Sequence, residues 1–499
     1  MNPEQPRQDE ELHRARSGRA LFFWLFPSIM LPMFLAIVDQ TIVATALPAI
    51  AGDLGNVDQV SWIVVAYLVA ATIIAPVYGR LGDVYGRRRL LFAALCITMT
   101  GSLLCALSQS MAMLAAARVL QGLGGGGLMT ISQALVGEAI PPRDRARYQG
   151  YVAAVAVTSS TFGPVIGGLL TQLFGWQSVF LVNIPIGVLA VFLTLRLPVS
   201  DISEKPFRFD FLGVLLFAVF IASAIGMLQQ VQRMRIDAVM LTSVLFALAA
   251  VACLLLLWRE KKASDPLLPL PLLREPSIWR ADAMAALHGG TLVSLMTFTP
   301  IYLRVMHGLE PAKTGLLLLP MAAGVGIGSM VTGRIVSRTG RTAIFPSFGL
   351  VAVTVMLIAL SLLSPHLSAG AVSAFLGVTA IFMGTVMGVV QVTVQQAVGR
   401  GQLGIGAATV QFSRSLGAAL GTAIVTTVLF MSLGMRDPEA ARMLGSILQN
   451  ARIVTDLPGQ EQALLHSEIG EAFRAGFLAM AVFTAASATL AWSLPLRRI

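Results

Sequence analysis

The chain has 499 residues, of which 56% are hydrophobic and only 12% carry a formal charge. Soluble domains typically contain about 25% charged residues, so this composition excludes an ordinary soluble protein and predicts a membrane protein. It also excludes a disordered chain, because such chains are poor in apolar residues. The three cysteines lie in apolar stretches without C-x-x-C spacing, and the sequence therefore indicates neither a disulfide framework nor a zinc site.

Fourteen apolar stretches are long enough to form membrane-spanning helices, which predicts an all-α fold. An even number of crossings places both termini on one side of the membrane. The predicted spans are 21–47, 60–80, 90–108, 111–137, 150–172, 177–197, 211–230, 237–258, 281–303, 314–336, 343–363, 370–396, 406–431 and 474–494.

Basic residues are divided unevenly between the two sets of loops. Of the 35 lysines and arginines, 25 fall in the set that contains both termini and eight in the other set. Cytoplasmic loops carry the excess of lysine and arginine, so both termini are predicted to be cytoplasmic and the protein to lie in the cell (inner or plasma) membrane. Topology thereby explains the net charge of +10, and we expect no nucleic-acid partner.

An internal repeat predicts how the spans are organised. Segment 79–87, after the second span, matches segment 333–341, after the tenth, at two glycines and two arginines. Two parallel six-helix halves, spans 1–6 and 9–14, with spans 7 and 8 inserted, are typical of secondary transporters. The resulting domains are a tail 1–20, a first bundle 21–200, inserted helices 201–262, a cytoplasmic linker 263–280, and a second bundle 281–499 with an outer loop 432–474.

The first span contains Asp39, the only carboxylate that the sequence places deep within a span. Ionisable groups at this depth are costly and are functional candidates. Asp39 and Arg118 of the fourth span lie about 12 Å and about 10 Å from the outer ends of their helices, so the two side chains can pair. Two interpretations remain open: a proton-exchanging carboxylate tuned by Arg118, or an ion pair that only joins two helices.

The segment from Gly79 to Arg89 combines turn glycines, an acidic residue and an arginine cluster. Asp83 is placed either to cap the third helix or to pair with Arg87 one turn later. Such a charge network can hold one conformation and break in another, although arginines here also anchor the topology. The candidates for this cytoplasmic latch are Gly79, Asp83, Gly86, Arg87 and Arg88.

The fifth span places Pro164 among the glycines Gly163, Gly167 and Gly168. Proline bends a helix and frees a carbonyl, whereas glycines let helices approach closely, so both a conformational role and simple packing are open. Polar residues in other spans are candidates for substrate contact or gating. These are Gln40, Gln121, Gln391, Gln411 and Arg414.

Several matches to cofactor motifs fail on context. The G-x-G-x-x-G match at 122–127 lies inside a span rather than after a strand, and no lysine completes a Walker A motif. The five histidines form no H-E-x-x-H pattern, and no nucleophile and base stand together. We therefore expect no cofactor, no metal and no enzymatic activity; an intramembrane enzyme is the weakest hypothesis.

Taken together, the motifs resemble those of the fourteen-helix drug:proton antiporters of the major facilitator superfamily, the QacA/EmrB type. The resemblance covers essentially the full chain and implies the major facilitator fold, with two six-helix bundles and two inserted helices. It also implies that the arginine of the fourth-helix motif, Arg118, acts in proton coupling. The matching segments are 39–43, 79–89, 117–122, 163–168, 176–187 and 414–417.

The resemblance implies a proton-coupled exporter of hydrophobic monovalent cations or neutral amphiphiles that works by alternating access. Its partners are then a small hydrophobic substrate, protons and the lipid bilayer. Relatives that export dications carry acidic residues in later helices, where this chain has Gln411 and Arg414, so dication export is not expected. Because the family also includes lipid and metabolite exporters and members that use a periplasmic adaptor, an endogenous substrate and an adaptor partner both remain alternatives.

The charge asymmetry gives a topology that cysteine labelling tests. In a chain whose native cysteines are replaced, Ser17→Cys and Arg498→Cys should resist an impermeant maleimide in intact cells, whereas Glu461→Cys in the outer loop should react. Labelling of either terminal position without permeabilisation would contradict the predicted topology.

Overall fold

The computed structural model describes residues 5–55, 60–197, 208–233, 239–435 and 459–498. These residues are almost entirely helical, with one antiparallel β-bridge between Arg341 and Arg498. The first residues of the predicted tail, the start of the inserted segment and most of the predicted outer loop (1–4, 198–207 and 436–458) lie outside the described residues. The expectation of an all-α protein is confirmed over the described part of the chain.

Seven helices form the first part of the chain. They are α1 (Gln5–Leu54), α2 (Val60–Tyr85), α3 (Arg87–Ala106), α4 (Met111–Ala139), α5 (Pro142–Phe174), α6 (Ser178–Leu181) and α7 (Asn183–Thr194). The predicted sixth span is thus broken into two helices after Leu181.

Nine helices form the rest of the described chain. They are α8 (Phe211–Arg233), α9 (Val239–Lys262), α10 (Leu270–Leu273), α11 (Pro276–His307), α12 (Pro311–Thr339), α13 (Ile344–Leu363), α14 (Ala369–Val398), α15 (Leu403–Gly434) and α16 (Gly459–Trp492). Short 3-10 turns at Ser364–His366 and Arg400–Gln402 follow α13 and α14. The predicted cytoplasmic linker 263–280 therefore contains α10 and the first turn of α11.

Twelve of the described helices are long and apolar enough to cross a membrane. The two other predicted spans coincide with α4 and with the broken α6–α7, so the count of fourteen crossings is not confirmed. α4 is 29 residues long, but Arg118 and the glycines between 122 and 127 lower its mean hydropathy. α6 and α7 together cover only Ser178–Thr194.

The helices group into two compact units. Unit 1 comprises Met1–Ala139 and Thr158–Phe207, and unit 2 comprises Ile140–Val157 and Arg208–Ile499. In unit 1, α4 packs against α2 and α3, and α1 packs against α4 and α7. In unit 2, α14 packs against α12 and α13, α11 packs against α15 and α16, and α8 pairs with α9. α5 begins in unit 2 and ends in unit 1, and the domain boundaries drawn from the repeat stay a prediction.

Each repeated segment is helical up to a single glycine. The connections between helices are therefore far shorter than the loops predicted from the sequence. α2 continues through Tyr85, and Gly86, with φ of 89°, separates it from α3. The matching residue of the second segment, Gly340, ends α12 with φ of 69°. Glycine suits both turns because other residues are strained at positive φ. The basic residues predicted in a loop at 143–147 likewise lie in the first turns of α5.

Small residues bring corresponding helices close together in each unit. A Cβ atom on Gly163 of α5 would lie 2.0 Å from Thr41 Oγ1 of α1, and one on Gly167 would lie 2.5 Å from the Ile42 carbonyl oxygen. In unit 2, a Cβ atom on Gly417 of α15 would lie 2.1 Å from the Ala286 carbonyl oxygen of α11. Gly163 and Gly167 of α5 lie four residues apart, as do Gly417 and Gly421 of α15. Both pairs give their helix the same kind of close contact with a neighbour.

The glycines of α5 offer a matched pair of substitutions. Gly163→Ala should lower the melting temperature of the purified protein, because overpacking against the stiff Thr41 side chain costs about 1–3 kcal/mol. Gly168→Ala should leave it unchanged or raise it slightly, since nothing lies within 4 Å of that position and alanine favours helices by about 1 kcal/mol. Equal shifts in the two variants would contradict the close contact between α5 and α1.

Candidate functional site

An ion pair between α1 and α4 lies at the centre of the candidate site. Arg118 Nη1 donates a hydrogen bond to Asp39 Oδ2 at 2.6 Å. Asp39 is 0% and Arg118 1% exposed, so the two charged groups are removed from solvent together. The two residues that the sequence places at similar depths are therefore in direct contact.

Three neutral side chains complete the surroundings of the carboxylate. Gln121 Nε2 and Asn183 Nδ2 each donate to Asp39 Oδ1 at 2.7 Å. Ser102 Oγ accepts from the same two amides, at 2.6 Å from Gln121 and 3.1 Å from Asn183. Asp39 thus accepts three hydrogen bonds from two further helices, α4 and α7, and α3 supplies the hydroxyl that orients the amides.

The guanidinium of Arg118 is held from several sides. Its Nη1 also donates to Gln121 Oε1 at 2.7 Å, and its Nε donates to the Ile63 carbonyl oxygen at 3.3 Å. Its central carbon lies 4.3 Å from the ring centroid of Tyr67, a distance at which a cation is attracted to the ring face. A buried ion pair is stabilised only when its remaining hydrogen-bonding groups are satisfied, and this arrangement meets most of that requirement.

The motif of the fifth span lies directly against the helix that carries Asp39. Thr41, two residues after Asp39, approaches Ser159 O of α5 at 3.4 Å. Gly163 and Gly167 contact α1 as described above, whereas a Cβ atom on Gly168 would have no neighbour within 4 Å outside its own stretch of helix. α5 continues through Pro164 without interruption. A movement of α5 would therefore act on α1 next to the ion pair.

The predicted latch residues form a second charge network in unit 1. Arg87 Nη2 donates to Asp83 Oδ1 and Arg87 Nη1 to Glu138 Oε2, both at 2.6 Å. Arg88 Nη2 donates to the Leu195 carbonyl oxygen at 2.6 Å. Of the two roles open for Asp83, the structure shows the pairing with Arg87, because no side chain caps the N-terminus of α3. The network links the ends of α2, α3 and α4, and the residue after α7.

The structure does not bring the other polar candidates into contact with one another at a single site. Gln40 is exposed on α1. In unit 2, Arg414 Nη2 donates to Gln411 Oε1 at 3.3 Å, whereas Gln391 is buried on α14 and its Nε2 has no hydrogen-bond partner among the described atoms. Within the described ranges, no cluster of His, Cys, Asp or Glu could hold a metal ion.

Sequence reasoning missed four residues that the structure brings into view: Ser102, Asn183, Glu138 and Asp282. Asn183 is a lone amide in an apolar stretch, so the depth argument that singles out Asp39 applies to it as well. Asp282, the seventh residue of the 32-residue helix α11, is a further buried carboxylate at 7% exposure, but it lies near the start of that helix rather than deep within it. The predicted ninth span begins at 281, whereas α11 begins at Pro276, so the sequence places Asp282 at the edge of the span.

A double-mutant cycle measures whether the pair acts as one unit. Arg118→Met leaves Asp39 as an uncompensated buried charge and should destabilise the protein by about 3–5 kcal/mol. Asp39→Asn in the same chain should recover part of that loss, because the remaining groups are neutral and of similar volume. Thermal unfolding in detergent of the wild type, both single variants and the double variant gives the cycle. Additive losses would show that the two side chains do not interact energetically.

Comparison with known proteins places the chain in a family. A model described as Major Facilitator Superfamily matches residues 29–422. A protein of Mycobacterium tuberculosis named as an MFS-type transporter is 34% identical over 400 residues, which are 80% of this chain and 58% of that relative. The chain therefore spans less than two thirds of the length of that relative.

A second relative and a solved structure agree with this family assignment. Multidrug resistance protein Stp of Mycobacterium tuberculosis is 31% identical over 432 residues, covering 85% of this chain and 80% of Stp. The crystal structure of the human organic anion transporter MFSD10 has the same fold, with a TM-score of 0.65 and 14% identity over 93% of this chain and 98% of that one. With its many apolar helices, the chain is a multi-pass membrane protein that belongs to the Major Facilitator Superfamily.

Proposed function

We propose that the protein is a proton-coupled exporter of small hydrophobic compounds that works by alternating access. The observation that carries the proposal is the buried pair of Asp39 and Arg118 inside an otherwise apolar helical unit. Family membership supports a transporter, and relatives named for multidrug resistance or efflux support export. The proton coupling and the substrates are our inference.

Asp39 is the group that we propose takes up and releases the proton. While Arg118 stays at 2.6 Å, the carboxylate charge is balanced. A conformational change that separates the two side chains leaves an uncompensated buried charge, and proton uptake by Asp39 removes the cost of that charge. Gln121 and Asn183 remain as hydrogen-bond donors, so the carboxyl group keeps its position while its charge changes.

Movement of α5 during substrate transport would act on the ion pair, because α5 packs against α1. Gly163 and Gly167 contact α1 between Thr41 and Thr45, two to six residues after Asp39. The network of Asp83, Arg87 and Glu138 then acts as a latch whose charge pairs hold one conformation. Discrete rearrangement of such packed and paired elements is the usual basis of conformational switching.

The substrates that we propose are amphiphiles rather than dications. A dication needs two countercharges, whereas the carboxylate of Asp39 already accepts hydrogen bonds from Arg118, Gln121 and Asn183. A monovalent cation would have to compete with Arg118 for the same carboxylate. Neutral amphiphiles need no countercharge, and the geometry therefore favours them over the monovalent cations of the sequence-based expectation.

For the topology, we propose fourteen crossings, two six-helix halves with α8 and α9 inserted, and both termini in the cytoplasm. α4 is 29 residues long, or about 44 Å at 1.5 Å per residue, which exceeds the ~30 Å hydrocarbon core. The close contacts of Gly417 with Ala286 and of Gly421 with Gly290 follow the same order along α15 and α11, so these helices run parallel. Three intervening crossings, α12 to α14, account for that direction.

Substitution of the carboxylate tests the proposed proton coupling. In liposomes with an imposed pH gradient, Asp39→Asn should abolish both the uphill movement of the neutral dye N-phenyl-1-naphthylamine and the dye-driven release of protons. Binding of the dye should stay within about threefold, because the substitution keeps the side-chain volume. Asp53→Asn, on the same helix, is the matched control, since an amide oxygen can still accept the hydrogen bond of Trp176. Undiminished proton release in Asp39→Asn would exclude Asp39 as the coupling group.

A further inference from the structure

Arg414 is a charged side chain in unit 2 that pairs with no carboxylate among the described residues. Its one described hydrogen bond goes to the neutral Gln411 Oε1, at 3.3 Å. Among the described residues, no aspartate or glutamate forms a salt bridge with it. Arg118 contacts a carboxylate, Asp39, at 2.6 Å, whereas Arg414 contacts a neutral amide.

The depth of Arg414 along its helix makes its unpaired charge energetically unfavourable. It is the twelfth residue of the 32-residue helix α15, about 17 Å from the start of that helix. Arginine stays protonated in proteins, and charged side chains at such depth are rare unless they pair or face a water-filled cavity. Arg414 is half-buried in this structure.

α11 holds the base of the Arg414 side chain in place. A Cβ atom on Gly289 would lie 2.5 Å from the Arg414 carbonyl oxygen and 3.1 Å from Arg414 Cγ. One helical turn further along α15, Gly417 packs against Ala286 in the same way. Because the backbone and the aliphatic part of the Arg414 side chain pack on α11, the base from which the guanidinium extends is held in place.

A buried histidine lies beside this contact on α11. His288, the neighbour of Gly289, is 2% exposed and lies close enough to Arg414 to interact with its charge. Its Nδ1 has no hydrogen-bond partner among the described atoms. A buried polar atom of this kind is normally satisfied by a partner, so His288 points to a polar ligand group.

The nearest carboxylate on α11 does not neutralise this cluster. Asp282 precedes Gly289 by seven residues, which is about 10 Å along the helix. Neither of its carboxylate oxygens has a hydrogen-bond partner among the described atoms, so Asp282 does not pair with Arg414. The groups around Arg414 therefore carry a net positive charge within the helices of unit 2.

We propose that Arg414, with His288 and Gln411, binds the acidic head group of an amphiphilic substrate. The planar guanidinium matches carboxylate, sulfonate and phosphate groups through two parallel hydrogen bonds. The inference rests on the proposed function and deepens it: the transported class includes anionic amphiphiles as well as neutral ones. The anion supplies the countercharge for Arg414 that Asp39 supplies for Arg118.

Two dyes with the same ring system test the site by binding. 1-Anilinonaphthalene-8-sulfonate carries a sulfonate that N-phenyl-1-naphthylamine lacks, and binding of each to the purified full-length protein is measured by equilibrium dialysis against protein-free micelles. Arg414→Gln should weaken binding of the sulfonate at least tenfold and change binding of the neutral dye less than twofold. Arg414→Lys should recover part of the sulfonate affinity. Arg400→Gln, at an exposed arginine of the same unit, should change neither.

The outcomes separate the anion site from the proposed export. An equal loss of both dyes in Arg414→Gln, or no loss of the sulfonate, would overturn the anion site. Retained binding of the neutral dye shows that the variant is folded. If the sulfonate binds through Arg414 but a pH gradient drives neither dye across liposomes, the anion site stands and the proposed export fails. If the gradient drives both dyes and Arg414→Gln transports them equally, export stands and the anion site fails.

Discussion

An ionised carboxylate inside an apolar helical unit has to be balanced by groups that the same unit supplies. Asp39 obtains this balance from three other helices: Arg118 and Gln121 on α4, Asn183 on α7 and, through the two amides, Ser102 on α3. Because each partner must reach the same few ångströms of space, the ion pair constrains how four helices of unit 1 approach one another. Removing either charge would leave the other uncompensated, and this makes the pair sensitive to any movement of α1 or α4.

The two units use similar packing with different charges. Close glycine contacts join α5 to α1 in unit 1 and α15 to α11 in unit 2. In unit 1 the arginine beside these helices is balanced by Asp39, whereas in unit 2 the one described hydrogen bond of Arg414 goes to the neutral Gln411. We infer a division of labour in which one unit handles the proton and the other binds the charged part of the substrate.

Much of this arrangement can be derived from the sequence, and the exceptions have physical reasons. Depth along each helix predicts that Asp39 and Arg118 can meet, because rise per residue is fixed. The amide of Asn183 belongs to a helix that breaks after Leu181, and the face it presents depends on that break. α4 contributes most to the site yet has modest hydropathy, because it carries the charge and the glycines that its neighbours require. The burial of Asp282 near the start of α11 is not predicted, since hydropathy does not show where a helix begins.

The proposed role of Asp39 requires its protonation to change when a substrate binds. Infrared difference spectroscopy of the purified protein, recorded before and after addition of N-phenyl-1-naphthylamine, measures this change directly, because carboxylic acids and carboxylates absorb at different frequencies. We expect the two bands to interconvert in the wild type and in Asp53→Asn, and this interconversion to disappear in Asp39→Asn. A carboxyl signal that persists unchanged in Asp39→Asn, or a wild-type spectrum without a carboxyl change on binding, would show that Asp39 does not exchange a proton when the substrate binds.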